Sequence, residues 1–238
     1  VAKRLSKLRE EVEKSTVNFN QYLTNNIEAD ALNFLYEVSK HTEGYIFSGL
    51  IRNFFLGNET IRDVDIVLAS DIELEKLYPN YKFKRNSFGG YKIEINNTKI
   101  DIWILEDTWA LQYQKSFDFN FDLDKYIPNT AFFNFSSIIF SLTENRFHFT
   151  TDFLRFLRDK KVDLVYLPNA NYHLCVINTF YYTDTYYLGI GEKLRRFIIK
   201  FYKSNFEKYE EIQLKHFGKI LYDTEEIKRR ILKLRSII

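Results

Sequence analysis

Residues 45–69 read YIFSGLIRNFFLGNETIRDVDIVLA, and two aspartates, Asp63 and Asp65, stand in an otherwise apolar, strand-like run. Aspartate is depleted in strands, so a pair there needs a reason. The stretch opens with a short apolar strand, YIFSG, ending in Gly49. LIRNFFLG has the pattern of a helix closed by Gly57, and RDVDIVLA that of a second strand. Strand side chains alternate between faces, so Val64, Ile66 and Leu68 share one side while Asp63 and Asp65 share the other. Both carboxylates then point to the same place. With backbones roughly 6–7 Å apart, they are close enough to converge on one divalent ion.

Downstream, YKFKR, GYKIEI and TKIDIWIL alternate polar and apolar residues with period two, separated by the turn signals SFGG and NN. That is the pattern of antiparallel strands. The alternation sends Ile100, Ile102 and Ile104 to the core and Asp101 to the opposite face. If this strand neighbours the first, three carboxylates meet, an arrangement suited to two-metal phosphoryl transfer. Upstream, Ser48-Gly49 ends a strand and opens a helix. Its backbone N–H groups and helix dipole would face a bound triphosphate, with Arg52 one turn on as a charge partner.

Around this centre, residues 2–41 read as two helices, with apolar stripes at Leu5, Leu8 and Val12 and at Ala29, Leu32, Phe34, Leu35 and Val38. Residues 71–78 suggest one short helix, and FFNFSSIIFSL and RFHF two further strands. From Thr151 the pattern is mostly helical, at about 172–188, 191–205, 206–217 and 224–237. The expected class is α+β: a mixed β-sheet flanked by helices, plus a C-terminal helical region. The expected divisions are N-terminal helices at 1–42, a sheet-containing domain at 43–150 and a helical domain at 151–238.

The 238 residues are 45 % hydrophobic, enough for a substantial core. A net charge of +2 means that affinity for nucleic acid must come from local clustering. Two such clusters stand out, Arg155, Arg158, Lys160 and Lys161, then Lys193, Arg195, Arg196, Lys200 and Lys203. A single cysteine, Cys175, excludes an internal disulfide framework and a multi-thiolate zinc site, and fits a reducing compartment. The four histidines are too dispersed to form a metal motif. The first residues, VAKRLSKLREEVEK, are charged and helical in pattern, and no window approaches the roughly 18 apolar residues of a membrane helix. The expectation is a cytoplasmic chain with no membrane partner.

Taken together, Ser48-Gly49, Arg52-Asn53, Phe55-Leu56-Gly57, Asp63-Val64-Asp65 and SFGGYKIEINNTKIDIWIL resemble the polymerase-beta-type nucleotidyltransferase superfamily. Within it they are most similar to the head domain of bacterial tRNA nucleotidyltransferases and poly(A) polymerases. The resemblance covers about residues 43–150. It implies that Asp63 and Asp65 bind both metal ions, Mg2+ or Mn2+, and that Asp101 binds the catalytic ion and helps activate an acceptor hydroxyl. It also implies that Ser48, Gly49 and Arg52 hold a nucleoside triphosphate such as ATP, with Asn134 standing near the nucleotide. The expected reaction is transfer of a nucleoside monophosphate to the 3′ end of a tRNA-like RNA.

The sequence departs from that pattern in four ways. Ser48 replaces the family's first glycine, Asn53 replaces the aspartate of its Arg-Asp pair, the arginines that precede the family's Asn-Ala segment are absent, since YIPNTAFFN occupies that region, and no Glu-Asp-x-x-Arg-Arg helix is found. Base choice and acceptor therefore stay open between RNA, a protein, a small molecule and a second nucleotide. A non-catalytic nucleotide-binding module remains the alternative to an enzyme.

Overall fold

The alternating segments assemble into one seven-stranded sheet in the computed structural model, which describes residues 4–59, 61, 63–86, 89–108, 111–112, 123–169, 171–202 and 208–236. The turn residues Ser87 and Phe88 and the basic Lys203 lie outside the described residues. Three helices come first: α1 (Leu5–Lys14), α2 (Thr16–Asn26) and α3 (Ala29–Val38). The quoted stretch then supplies β1 (Gly44–Phe47), α4 (Gly49–Leu56) and β2 (Val64–Leu68). After α5 (Leu74–Leu77) come β3 (Lys84–Arg85), β4 (Tyr91–Ile95) and β5 (Thr98–Ile104). A short helix, α6 (Leu123–Asn129), precedes β6 (Ile138–Ser141) and β7 (Arg146–Phe149).

The strand order is β3-β4-β5-β2-β1-β6-β7, with β2 and β5 parallel and the other described pairings antiparallel. Val64, Ile66, Leu68, Ile100, Ile102 and Ile104 are all at most 1 % exposed, so the apolar set of both strands faces the core as the alternation requires. Gly57 closes α4 in the left-handed region, φ 70° and ψ 30°, where glycine carries no Cβ penalty.

The two helices expected over 2–41 are three. Helix α2, TVNFNQYLTNN, carries four asparagines and has weak intrinsic helix propensity. Its Phe19 and Leu23, one turn apart, are completely buried, and the Phe19 ring lies 4.8–5.1 Å from those of Phe54, Phe140 and Phe147. Tertiary burial, rather than local preference, makes this segment a helix.

Beyond the sheet come α7 (Thr151–Asp159), α8 (Tyr172–Tyr186), α9 (Glu192–Tyr202), α10 (Tyr209–Phe217) and α11 (Thr224–Ser236). A two-stranded parallel pair, β8 (Lys161–Val162) and β9 (Gly189–Ile190), lies among them. The Asp163 carboxylate accepts hydrogen bonds from the N–H groups of Leu164 and Leu194, at 2.9 and 2.8 Å, and so caps α9. A Cβ at Gly191 would fall 2.3–2.5 Å from the Asp163 side chain, so this approach requires glycine. No helix among the described residues is long and apolar enough to cross a membrane.

Candidate active site

Parallel pairing of β2 with β5 sets Asp65 directly beside Asp101, just as it sets Val67 beside Trp103. These four residues share the face opposite the core. Neighbouring strands lie about 4.8 Å apart, so two carboxylates are held side by side in a geometry that repels unless a cation intervenes. The pair fits a magnesium-like ion, which takes one or two carboxylates and completes its shell with water and phosphate oxygens. Asp63 lies one residue before β2, at a small pocket bordered by Glu28, Thr98 and Lys99. Among the described residues no three His, Cys, Asp or Glu side chains are gathered closely enough to hold a metal ion. The expected triad is thus a pair with Asp63 as its neighbour along the strand.

A cation does stand at the pair. Lys92 Nζ lies 3.1 Å from Asp101 Oδ1 and donates a hydrogen bond to Oδ2 at 3.3 Å. Sequence reasoning missed this lysine, although its signal was present. Asn96 and Asn97 adopt φ 44° and 70°, as a two-residue type I′ hairpin demands, and that turn fixes Lys92 opposite Asp101.

The Ser48-Gly49 turn sits at the end of β1, whose Phe47 pairs with Asp65. Ser48 adopts φ 65° and ψ -124°, a conformation that glycine reaches freely and other residues do not. Arg52, one turn into α4, is caged rather than loose. Its guanidinium lies 4.7 Å from the ring centre of Tyr182, 5.3 Å from Tyr186 and 5.5 Å from Phe135. Asn53 fixes its direction, with Oδ1 accepting from Arg52 Nε and Nη2 at 3.3 and 3.2 Å and from Tyr186 Oη at 2.9 Å. Burial pushes the Tyr182 phenol above its ordinary range, against the opposing pull of Arg52.

Between the sheet face and α8 lies a cavity of about 430 Å³. Phe47, Val67 and Trp103 form its floor, Ser48 and Arg52 one side, and Phe132, Phe135, Cys175, Asn178 and Tyr182 much of the rest. A half-open, mostly apolar cavity of this size, with a few polar groups and a caged arginine at its side, can take a nucleotide-sized ligand; Asp65 and Asp101 lie on the same sheet face, two residues before Val67 and Trp103 of its floor. Burial pushes the Cys175 thiol up to about 12, so it stays neutral at pH 7 and serves as apolar wall, not nucleophile.

Solved structures with this arrangement of strands and helices include a CCA-adding enzyme in complex with ATP, at TM-score 0.62 and 13 % identity, covering 91 % of this chain and 54 % of that one. The fold is that of the CCA-adding enzymes. A complex of a CCA-adding enzyme with CTP matches at TM-score 0.63 and 14 % identity, over 92 % of this chain and 55 % of that one. The Thermotoga maritima CCA-adding enzyme complexed with tRNA matches at TM-score 0.60 and 14 % identity, over 92 % and 54 %. The chain therefore spans about half the length of these CCA-adding enzymes, and its nucleotidyltransferase fold is related to their head domain. No protein-family model and no curated protein matches the sequence.

Within this CCA-adding-enzyme fold, Asn134 and several residues of the basic clusters have partners inside the chain. Asn134, expected near the nucleotide, is not among the residues that line the cavity, and neither are Gly49, Asp63, Asp65 or Asp101. The Asn134 amide donates to the Lys161 carbonyl and accepts from the Asp163 N–H, both at 2.9 Å, clamping the 134–136 turn to β8. The arginines of the basic clusters are paired locally: Arg155 with Asp152, Arg158 with Asp159, and Arg195 and Arg196 both with Glu192. Those two arginines hold Glu192 down to about 2.

Proposed function

We propose that this chain is the catalytic part of a metal-dependent nucleotidyltransferase that moves a nucleoside monophosphate from a nucleoside triphosphate to an acceptor hydroxyl, with the 3′ end of an RNA as the acceptor. The observation that carries the reading is the Asp65–Asp101 pair, set in register on the sheet face that continues into a cavity bordered by Ser48 and Arg52. In the reaction the acceptor oxygen bonds to the α-phosphorus, the bond from that phosphorus to the β-phosphate oxygen breaks, pyrophosphate leaves, and the hydroxyl proton passes to solvent. Asp65 and Asp101 would hold Mg2+ or Mn2+, with Asp63 two residues before Asp65 as a further ligand once the ion draws it in; the ion would supply Lewis-acid stabilisation of the pyrophosphate and a lowered pKa for the attacking hydroxyl.

The remaining roles belong to the chain's own groups. The N–H groups at the start of α4 and the Arg52 guanidinium take the triphosphate charge, and the aromatic cage keeps that guanidinium aimed before substrate arrives. Phe47, Val67 and Trp103 exclude water from the cavity floor. The overlap with the ATP, CTP and tRNA complexes of CCA-adding enzymes supports a triphosphate donor and an RNA acceptor.

The test is incubation with each labelled nucleoside triphosphate, Mg2+ or Mn2+, and separate pools of RNA and protein. Label is expected on RNA, with loss in a D65N variant. Label on protein, or on a nucleotide, would move the acceptor while keeping the chemistry. Triphosphate binding with no pyrophosphate release under any acceptor condition would favour the non-catalytic module.

A further inference from the structure

The carboxylate pair is not held open for a cation, because a lysine already sits on it. Lys92 belongs to β4, directly across from Asp101, while Asp65 lies on the other side of Asp101 in β2. Three consecutive strands thus present an ammonium, a carboxylate and a carboxylate in one row. The two ends of the ion pair differ in freedom. The Asp101 side chain is 19 % exposed, set within the sheet face, whereas that of Lys92 is 57 % exposed on a four-carbon stem. An ion pair with one exposed partner is worth little, so it can be exchanged, yet it offsets the negative charge that Asp101 carries beside Asp65.

We propose that Lys92 is the resident counter-ion of the metal site: it neutralises and positions Asp101, and a divalent cation must displace it from that carboxylate to bind. Lys92 remains an ammonium throughout; what changes is its partner. This inference rests on the reading of Asp65 and Asp101 as metal ligands. It makes Lys92 a positioning residue that lowers the intrinsic affinity for the free cation and keeps the strands correctly charged in its absence.

The experiment titrates the full chain with Mn2+, following the signal of the free aquo ion, for wild type, K92M, K92R and D101N, and records thermal unfolding with and without saturating Mn2+. K92M is expected to bind Mn2+ about three- to fivefold more tightly, the scale of an exposed ion pair removed from competition. K92R, which keeps the charge, is expected to bind like wild type. Without metal, K92M should unfold at lower temperature than wild type, and saturating Mn2+ should abolish the deficit. A purely structural lysine would leave that deficit in place at saturation, and this result, or unchanged or weaker Mn2+ binding by K92M, would overturn the proposal. Wild-type binding that D101N does not weaken removes the exchange but leaves a metal site elsewhere. A wild type that binds no Mn2+ sinks both the exchange and the metal-site reading.

Discussion

The sheet and the helical lobe place charge in different ways. In the helical lobe Arg155 finds Asp152, and Arg195 and Arg196 find Glu192, within one turn of the same helix. Such pairs form wherever sequence puts opposite charges three or four residues apart, and each offsets part of the basic charge around it. In the sheet, Asp65 stands beside Asp101 only because two separate strands align, and Lys92 from a third strand pairs with Asp101. Carboxylates brought together from separate strands are the arrangement on which the proposed metal site rests.

The comparison breaks most directly at Asp65. D65N should cut nucleotide transfer by at least about 100-fold, the scale of removing one preorganised electrostatic group, with the circular dichroism spectrum unchanged. Near-normal transfer would remove the carboxylate pair from the mechanism. Next in size is Asn134. N134A should lower the unfolding free energy in urea by about 1–2 kcal/mol, because it removes two hydrogen bonds made by a buried amide to part-buried backbone groups of residues 161 and 163. Nucleotide affinity measured by calorimetry should hold; a loss of affinity without a loss of stability would return Asn134 to the nucleotide site.

A smaller effect, of opposite sign, is expected at Ser48. S48G should raise stability by about 1 kcal/mol, relief of backbone strain outweighing the added freedom of the unfolded chain. Thermal denaturation decides it.

The cavity wall adds a pH test. Burial raises both the Cys175 thiol and the Tyr126 phenol to about 12. Free thiols ionise near pH 8.5 and free phenols near pH 10, so the unfolded chain releases these protons first. The stability tied to their neutral forms is therefore complete below about pH 8.5 and is lost progressively up to about pH 12. Urea midpoints measured across that range should fall monotonically, and a C175S variant should fall less steeply above pH 8.5. The smallest effect is expected in the helical lobe, where E192Q should leave the transfer rate unchanged. A marked gain in RNA affinity on freeing Arg195 and Arg196 would instead make that helix part of the acceptor surface.

Much of the fold could be read from local signals. The alternation in VDIVL and TKIDIWI named the buried isoleucines and put the aspartates on the opposite face, and Gly57 marked the end of α4. Helix α2 was invisible because its four asparagines hide a helix made by Phe19 and Leu23 packing against residues far along the chain. Lys92 was within reach of sequence reasoning, since the Asn96-Asn97 turn dictates its register. The cage of Arg52 was not, because Tyr182 and Tyr186 are some 130 positions away along the chain and no local pattern links them.

What the sequence determined by itself is whatever depends on neighbours a few residues apart: strand period, hairpin register, helix ends and the face on which each aspartate lies. Only the tertiary structure decided that β2 lies parallel to β5, that Asn134 clamps the helical lobe, and that Arg52 is held in an aromatic cage. Periodicity and turn sterics act along the chain and leave a trace in it. The pairing of distant segments is settled by the burial that the whole assembly gains, and no single segment records it.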